Sequence, residues 1–462
     1  MHYAHFAVIL SSPLRSILMA IKNLLFANRD VPDIEEIGVY EAHNGYAGLK
    51  RAVAMERQAV VDEIKASGLR GRGGAGFPTW IKWNGLPKNY DKPHYAICNA
   101  DEGEPGTYKD RELMLKFAPT LIEGMIIAGY ATYSKIGYIY IRGEYIESAW
   151  KVRKAIDQAY AKGYLGKNIL GVEGFDYDLH IHMGAGSYEC GEESALMSSL
   201  MGERGNPRLK FPHAPLPTVE GVWKSPTLIN NVETFCAAAA VMKITAEEHA
   251  KLGTERSKGT KIISVSGHVK RPANYEVEMG TPLLELLAEA GGVTGGALKA
   301  IIPGGSSVQI VRAEKLAPIN LDYESCGANG TLLGSGGFMV FNDQTDIVLL
   351  MKRTSEFYAH ESCGKCTPCR EGTRWLFKIM DRITTGAGQQ GDIELLLDIC
   401  SNIDGRGYCG LGDAACWPIV AAIKNYREEF EFWIKYKKSP VGANALPPSP
   451  ELFNPLLRLN AA

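Results

Sequence analysis

No run of about 20 uninterrupted apolar residues, the length a membrane-crossing helix needs, occurs in this chain. The nearest candidates are broken, residues 6–21 by Pro13 and Arg15 and residues 121–141 by Glu123 and Lys135. No sign of charge dominates either: Lys plus Arg number 50 and Asp plus Glu 52, for a net charge of −2. That balance gives no electrostatic case for nucleic acid binding. Cysteine is sparse, ten in 462 residues, and there is no secretory signal. A disulfide-dense scaffold is therefore excluded, and a reducing compartment with metal-binding or reactive thiols is the better reading. The first 30 residues are basic, as in a mitochondrial transit peptide, but Arg and Ser are few for such a segment. A start at Met19 is the blander alternative.

Glycine, by contrast, is abundant at 50 residues, which points to tight turns and close approach of backbone to ligands. The length calls for two or three domains. In the first half, residues 47–66 repeat apolar positions every three to four residues, as one amphipathic helix should. His94–Asn99, Gly137–Arg142 and residues 176–182 read as strands, with helices over 119–134 and 147–161 between them, an α/β pattern. The Pro- and Gly-rich stretch from Gly205 to Pro226 is a long loop, and loops of that length are usually functional. From about residue 258, the strand Lys261–Gly267, a helix over 281–290 and short strands at Ala300–Gly304 and Ser307–Arg312 suggest a small grasp-like α+β unit. Residues 343–437 hold four helical stretches, for which a four-helix bundle is the simplest packing. The tail from 438 is Pro-rich.

Three thiols stand at a spacing of three in CGKCTPC: Cys363, Cys366 and Cys369. Zinc sites more often use two separated Cys pairs with tetrahedral closure. Three thiols in one tight run with a distant fourth suit an iron–sulfur cubane, whose irons occupy different corners. Of the candidates for the fourth, Cys400 lies in an apolar helical stretch and Cys416 early in the last helix, where buried thiols are ordinary core residues. Cys409, in the turn GRGYCGLG, can approach a cluster freely and is favoured.

GRGGAG at 71–76 satisfies the G-x-G-x-x-G pattern, but a helix precedes it and Phe77-Pro78 follows, so the strand–loop–helix context of a dinucleotide fold is missing. What remains is an amide-lined nest with Arg72 and Lys82 nearby, suited to phosphate or a flavin. NADEGEPGT (99–107) gathers Asn99, Asp101, Glu102 and Glu104 at the end of an apolar strand. A charge run is often only a solvated face, yet this placement is that of an α/β ligand crevice. GSYECGEES (186–194) repeats the design with Tyr188, Gly191, Glu192 and Glu193. Cys190, among carboxylates, reads as a packing thiol.

The glycine loop, the acidic turn, GEES, NNVET (230–234) and the cysteine run, in this order, resemble the NADH-oxidising flavoprotein subunit of respiratory complex I. The same family includes diaphorase subunits of NAD-linked hydrogenases and formate dehydrogenases. The resemblance covers about residues 23–437. It implies a multidomain α/β protein: an N-terminal extension (1–22), a Rossmann-like FMN and NADH domain (23–245), a ubiquitin-like β-grasp domain of the soluble-ligand-binding type (246–342), a four-helix bundle with a [4Fe–4S] cluster (343–437) and a tail (438–462). Carried over motif by motif, Gly71, Arg72, Gly73, Gly74 and Lys82 would cradle the FMN phosphate and ribityl chain. Asn99, Asp101, Gly191, Glu192, Asn230, Asn231 and Thr234 would hold the rest of the flavin. Phe77, Glu104, Tyr188, Glu193 and Lys210 would line the nucleotide pocket, and Cys363, Cys366, Cys369 and Cys409 would ligate the cluster.

The implied chemistry is hydride transfer from NADH to FMN, followed by single-electron steps into the cluster, with no general acid–base residue required. The implied partners are a thioredoxin-like [2Fe–2S] subunit of the 24 kDa type and a large multi-cluster iron–sulfur subunit. The expected place is peripheral, on the cytoplasmic side of a bacterial inner membrane or the matrix side of a mitochondrial one. Three positions depart from the family's usual pattern: Trp80 where Gly is common, Gly85 where a bulky apolar residue is common, and His213 where an aromatic ring packs on adenine. These departures motivate an alternative, an electron relay without donor binding, and Trp223 is a substitute adenine platform. The few residues before the flavoprotein motifs and the Cys-free tail favour complex I over a hydrogenase or formate dehydrogenase assembly.

Overall fold

The computed structural model describes residues 23–88, 90–209 and 215–442. Lys210, His213, the 1–22 extension and the tail from 443 lie outside the described residues. Four parallel strands, β1 (His94–Ala100), β2 (Ser134–Ile141), β3 (Asp178–Met183) and β4 (Thr227–Asn231), form the first sheet in the order β3-β2-β1-β4. Parallel strands need crossovers, and the helices Ala118–Ala131, Ile146–Ala161 and Val232–Ile244 pack over one face. Ala118–Ala131 is apolar nearly all round because it is buried all round. Its one charged residue, Glu123, accepts the Tyr40 hydroxyl at 2.5 Å and the Tyr46 and Leu49 amides at 3.0 Å each. The carboxylate that interrupts an apolar run in the sequence thus anchors two N-terminal helices, Ile37–Ala42 and Ala47–Val53.

The helix expected over 47–66 is two, Ala47–Val53 and Arg57–Ala66. The break has a cause: the Tyr130 hydroxyl donates to the Met55 carbonyl at 2.8 Å, and Glu56 takes an extended conformation. Apolar spacing continues across the break because both pieces face one core.

The second sheet holds β5 (Thr260–Gly267), β6 (Ala273–Glu278), β7 (Leu298–Ile302), β8 (Val311–Arg312) and β9 (Gly337–Asn342) in the order β6-β5-β9-β7-β8. Only β5 and β9 run parallel; the other pairs are antiparallel. The helix Leu283–Glu289 packs on it, which is the expected α+β unit, though the strand read over Ser307–Arg312 is confined to Val311–Arg312. β6 escaped the sequence reading because Asn274 and Glu276, two of its most buried side chains, are polar. Glu276 accepts the Leu24, Leu25 and Phe26 amides and the Thr260 hydroxyl, strapping the start of the described chain to this sheet.

The helices Ile347–Glu361, Thr367–Arg382, Asp392–Ile403 and Leu411–Tyr436 form the third unit around a shared apolar core. The second begins six residues earlier than its apolar pattern shows, so Cys366 is its N-cap and Cys369 lies in its first turn. Among the described residues no single helix is long and apolar enough to cross a membrane; the nearest, Lys109–Lys116 with Ala118–Ala131, is bent by 96°.

Candidate functional site

Strand β1 ends at Ala100 and the chain turns sharply, leaving Asn99, Asp101 and Glu104 at the carboxyl edge of the sheet, where open α/β sheets bind ligands. The short helical turn Tyr188–Gly191 and the N-terminus of Val232–Ile244 meet the same edge. They enclose a cavity of about 720 Å³, the size of a cofactor site. Gly73 and Gly74, Asn99, Asp101, Glu104 and Tyr188 line it, as do Gly191, Glu192 and Asn231. Its far wall comes from the second unit (Ser307, Leu333, Ser335) and from the third, where Cys409 and Trp417 face it.

Two of the glycines sit where a side chain would be tight. A Cβ on Gly73 would stand 3.0 Å from the Asn231 Cβ, and one on Gly103 would stand 3.0 Å from the Tyr188 ring. The loop is fixed from behind: the Tyr323 hydroxyl donates to the Gly71 carbonyl at 2.7 Å, and the Arg72 amide donates to the Thr234 hydroxyl at 2.9 Å. The Arg72 guanidinium lies under the loop rather than in the cavity, donating to the Lys258 carbonyl at 2.6 Å. Arg70, which the sequence did not single out, is the arginine that lines the cavity, held by Glu324 at 2.6 Å over the Tyr323 ring.

Asn99 donates to the Gly191 carbonyl at 2.7 Å, joining two of the motifs directly. Glu192 caps the helix Glu193–Leu200 through the Ser194 and Ala195 amides. Lys82 pairs with Glu193 at 3.0 Å beside the cavity, and the exposed Phe77 is close by in sequence to the glycine loop. Asn230 is buried; in the amide orientation that satisfies both groups it accepts from the Trp83 indole at 2.8 Å. Glu104 accepts the Tyr188 hydroxyl and the Ser307 amide, both at 2.7 Å. Burial raises its carboxyl, and those bonds offset part of the rise.

Asp101 is the conspicuous member. Burial pushes its carboxyl up to about 7, and its Oδ2 has no hydrogen-bond partner. A buried polar atom without a partner, in a cavity, fits a ligand atom that completes it.

Beneath the cavity runs a charge network that the sequence reading missed. Lys109, 1% exposed, contacts Asp110 at 2.7 Å and Glu233 at 2.9 Å. Asn231 accepts from Lys109 at 3.1 Å and donates to Asp110 at 2.7 Å. Burial opposes the Lys109 charge, but Asp110, Glu233 and Glu102 outweigh it and raise the ammonium. Glu102 in turn accepts the Asp110 and Arg111 amides at the start of the helix Lys109–Lys116. The signal for this network was present in YKDRE and NNVET, but charged residues at a helix start read as solvated.

The four cysteines lie in the segments at one end of the bundle, the loop and first turn after Ile347–Glu361 and the turn before Leu411–Tyr436. Cys363 lies in the loop 362–366 between the helices Ile347–Glu361 and Thr367–Arg382; Cys366, Cys369 and Cys409 pack with Tyr358, Leu411 and Tyr188. Burial raises the Cys369 and Cys409 thiols, so these groups favour the protonated form until a metal displaces the proton. Among the described residues no three His, Cys, Asp or Glu converge as a single ion requires. A cubane asks for a different arrangement, one thiolate on each of four separated irons. Of the departures noted in the sequence, Trp80 lies under the Lys65 ammonium and Gly85 closes the helix Thr79–Asn84. Trp223 packs on Tyr95 and Tyr138, with ring centroids at 5.1 and 5.9 Å.

Comparison with known proteins agrees with this layout. Residues 64–240 match the Nuo51 FMN-binding domain, residues 262–311 the SLBB domain, and residues 349–432 the NADH-ubiquinone oxidoreductase-F iron–sulfur binding region. The chain is 46% identical over 405 residues to the F-type subunit of NADH-quinone oxidoreductase from Streptomyces coelicolor, covering 87% of this chain and 89% of the relative. It is 45% identical over 420 residues to the second F-type subunit of NADH-quinone oxidoreductase from Rhizobium meliloti, covering 90% and 99%. Among solved structures it superposes on an air-oxidised NAD+-reducing [NiFe]-hydrogenase with a TM-score of 0.76 at 34% identity, over 92% of this chain and 68% of that one.

Proposed function

The chain belongs to the family of F-type subunits of NADH-quinone oxidoreductase, and from that premise we propose how its own residues perform NADH oxidation. It is the NADH dehydrogenase component of a multisubunit, complex I-type enzyme, with FMN and a [4Fe–4S] cluster as cofactors. When bound, the FMN supplies the hydride acceptor and the two-to-one electron conversion, and the cluster supplies the first single-electron acceptor.

The reading of the site rests on one observation: a single cavity runs from the glycine loop and Asp101 to Cys409. Gly71, Gly73 and Gly74 present the loop backbone to the flavin phosphate and ribityl chain, and Arg72, Lys82 and Thr234 brace that loop and its surroundings. Asn99, Asp101, Gly191, Glu192, Asn230 and Asn231 form the flavin's remaining cradle. Within it, Asp101 Oδ2 holds a proton or accepts one near neutral pH, in contact with whatever fills the cavity. Phe77, Glu104, Tyr188, Glu193 and Lys210 form the nicotinamide nucleotide pocket. The Tyr188–Glu104 hydrogen bond fixes the wall on which the nucleotide rests, and the Lys82–Glu193 pair moderates the negative charge there. Cys363, Cys366, Cys369 and Cys409 hold the cluster, with Cys409 on the flavin side.

Identity of 45–46% to the NADH-quinone oxidoreductase relatives ranks the complex I assembly above a hydrogenase or formate dehydrogenase diaphorase. In that assembly the partners are a thioredoxin-like [2Fe–2S] subunit and a large multi-cluster iron–sulfur subunit. The place is peripheral, on the cytoplasmic side of a bacterial inner membrane or, for an organellar protein, the matrix side. Anaerobic addition of NADH to the FMN-loaded purified protein tests the donor step. The flavin absorbance band is expected to bleach, and its persistence would assign the chain to electron relay without donor binding.

A further inference from the structure

Glu104, on the cavity wall, is gripped by groups that lean on the cluster-bearing bundle. Tyr358 lies in the helix Ile347–Glu361, fully buried against Cys369 and Leu411. A phenylalanine would fill that apolar site, so the hydroxyl has a separate purpose, a hydrogen-bond partner of its own. It bonds the Ser306 hydroxyl at 2.9 Å. Ser306 belongs to the turn 305–307 of the second unit, and from that turn the Ser307 amide donates to Glu104 Oε1 at 2.7 Å. The Ser306 hydroxyl stands 3.5 Å from the same oxygen. The turn fits closely: Gly305 has a φ of +102°, and a Cβ there would stand 2.5 Å from Glu104 Oε1. The other carboxylate oxygen is held against the same helix. Tyr188 donates its hydroxyl to Glu104 Oε2 at 2.7 Å and its amide to Glu361 at 3.0 Å. Its ring meets the Tyr358 ring edge-on, with centroids 6.0 Å apart.

We propose that Tyr358 and Ser306 are positioning residues for NADH binding. Through the turn 305–307 and the Tyr188 ring they fix the Glu104 carboxylate at the cavity wall. The helix that leads into the cluster cysteines therefore also shapes the donor pocket. This rests on the reading of Glu104 as part of the nucleotide pocket. A carboxylate with both oxygens held meets the nucleotide already in place; once loosened, it must be ordered at every binding event, and the cost falls on affinity. Backbone bonds keep the turn folded without Tyr358, since the Gly305 amide donates to the Gly337 carbonyl at 2.8 Å and the Ser306 amide to the Pro105 carbonyl at 3.1 Å. The hydroxyl pair thus sets the fine position of the turn, and its loss weakens binding without unfolding the site. No hydride passes through these hydroxyls, so the effect belongs to KM rather than to kcat.

The test uses the full-length holoprotein, with ferricyanide as electron acceptor and with flavin and iron content measured for each variant. Tyr358→Phe keeps the ring and removes one hydroxyl; Ser306→Ala removes the other. Each is expected to raise the KM for NADH severalfold with little change in kcat, and to weaken NAD+ binding in a direct titration by a similar factor. Glu104→Ala is expected to raise KM as well. In the Glu104→Ala background neither hydroxyl substitution should raise it further, because the group they position is gone. Equal rises in KM with and without Glu104 would overturn the proposal, as would a fall in kcat with KM unmoved. Wild-type KM in both hydroxyl variants, beside a raised KM in Glu104→Ala, would refute the positioning role alone. Wild-type KM in Glu104→Ala would refute the placing of Glu104 in the nucleotide pocket, and the proposal with it. If Tyr358→Phe loses its cluster, Ser306→Ala, which lies in the second unit, decides the outcome.

Discussion

Lys109 carries a full charge where almost no water reaches it, and that is tolerable only because Asp110 and Glu233 lie within 2.9 Å. The same two acids set the cost of removing it. Lys109→Met would leave the buried Asp110 carboxylate without its cation and Glu233 with Lys261, at 3.4 Å, a loss of about 3–5 kcal/mol by the usual consequence of breaking a buried pair. Denaturant unfolding is expected to show that loss, with part of it recovered in Lys109→Met/Asp110→Asn, where the stranded charge is gone. Wild-type stability in the single variant would remove the network from the account of what holds the cavity floor. Asp101 makes the opposite case, a carboxyl buried without a cation in contact. Its folded value near 7 lies above the ordinary 3.8, so from pH about 4 to 7 the folded chain keeps a proton that the unfolded chain has lost. The stability this group contributes is full below pH about 4, falls as pH rises to 7, and is flat above. A rise from 3.8 to about 7 corresponds to about 4 kcal/mol. Flavin-free Asp101→Asn is therefore expected to be more stable than the wild type at pH about 8, with the gap closing toward pH 4. A gap that does not change with pH would mean that Asp101 is ionised in the folded chain.

At the scale of elements, the sharpest constraint is where the helices Ala118–Ala131 and Val232–Ile244 touch. A Cβ on Gly124 would stand 2.0 Å from the Phe235 carbonyl oxygen, a backbone atom that no side-chain rotation can move away. Gly124→Ala must push the helices apart, and overpacking of this kind costs about 1–3 kcal/mol despite alanine's better helix propensity. A lower thermal midpoint is expected, and an unchanged one would show that the helix pair is softer than its packing implies. The same contact shows why sequence alone recovers some elements and misses others. Apolar spacing located Ala118–Ala131 and, in the third unit, was clear for Ile347–Glu361, Asp392–Ile403 and Leu411–Tyr436, because burial of one face or of all faces leaves a period in the sequence. It merged Ala47–Val53 with Arg57–Ala66, because the break is imposed by Tyr130, 75 residues away in the chain. It passed over β6, because Asn274 and Glu276 are buried to satisfy partners on other segments. Likewise the cysteine run, the glycine loop and the acidic turn were legible as local patterns. Lys109 and Glu233 were not, since their pairing exists only once two separate helices dock.

Taken whole, the molecule closes its cavity with all three of its units. Asn99 and Asp101 come from the parallel sheet, Ser307 and Leu333 from the segment around β7 and β9, and Cys409 and Trp417 from the helical bundle. Direct bonds already join the units across it: Glu104 to the Ser307 amide, Lys261 to the Arg72 carbonyl, and the Tyr188 amide to Glu361. A ligand that fills such a cavity binds only when all the walls are in place, so its binding free energy stabilises their joint arrangement rather than any single unit. For a ligand at 100 times its dissociation constant, linkage gives about 2.7 kcal/mol. Calorimetric unfolding of the flavin-free protein, with and without FMN at that excess, measures how this is shared. If the cavity is common to the three units, FMN raises every unfolding transition and draws them together, including the one in which the iron–sulfur absorbance is lost. If only the transition of the parallel-sheet unit moves, the flavin contacts that unit alone, and the wall formed by Cys409 and Trp417 serves proximity to the cluster without contributing to flavin binding.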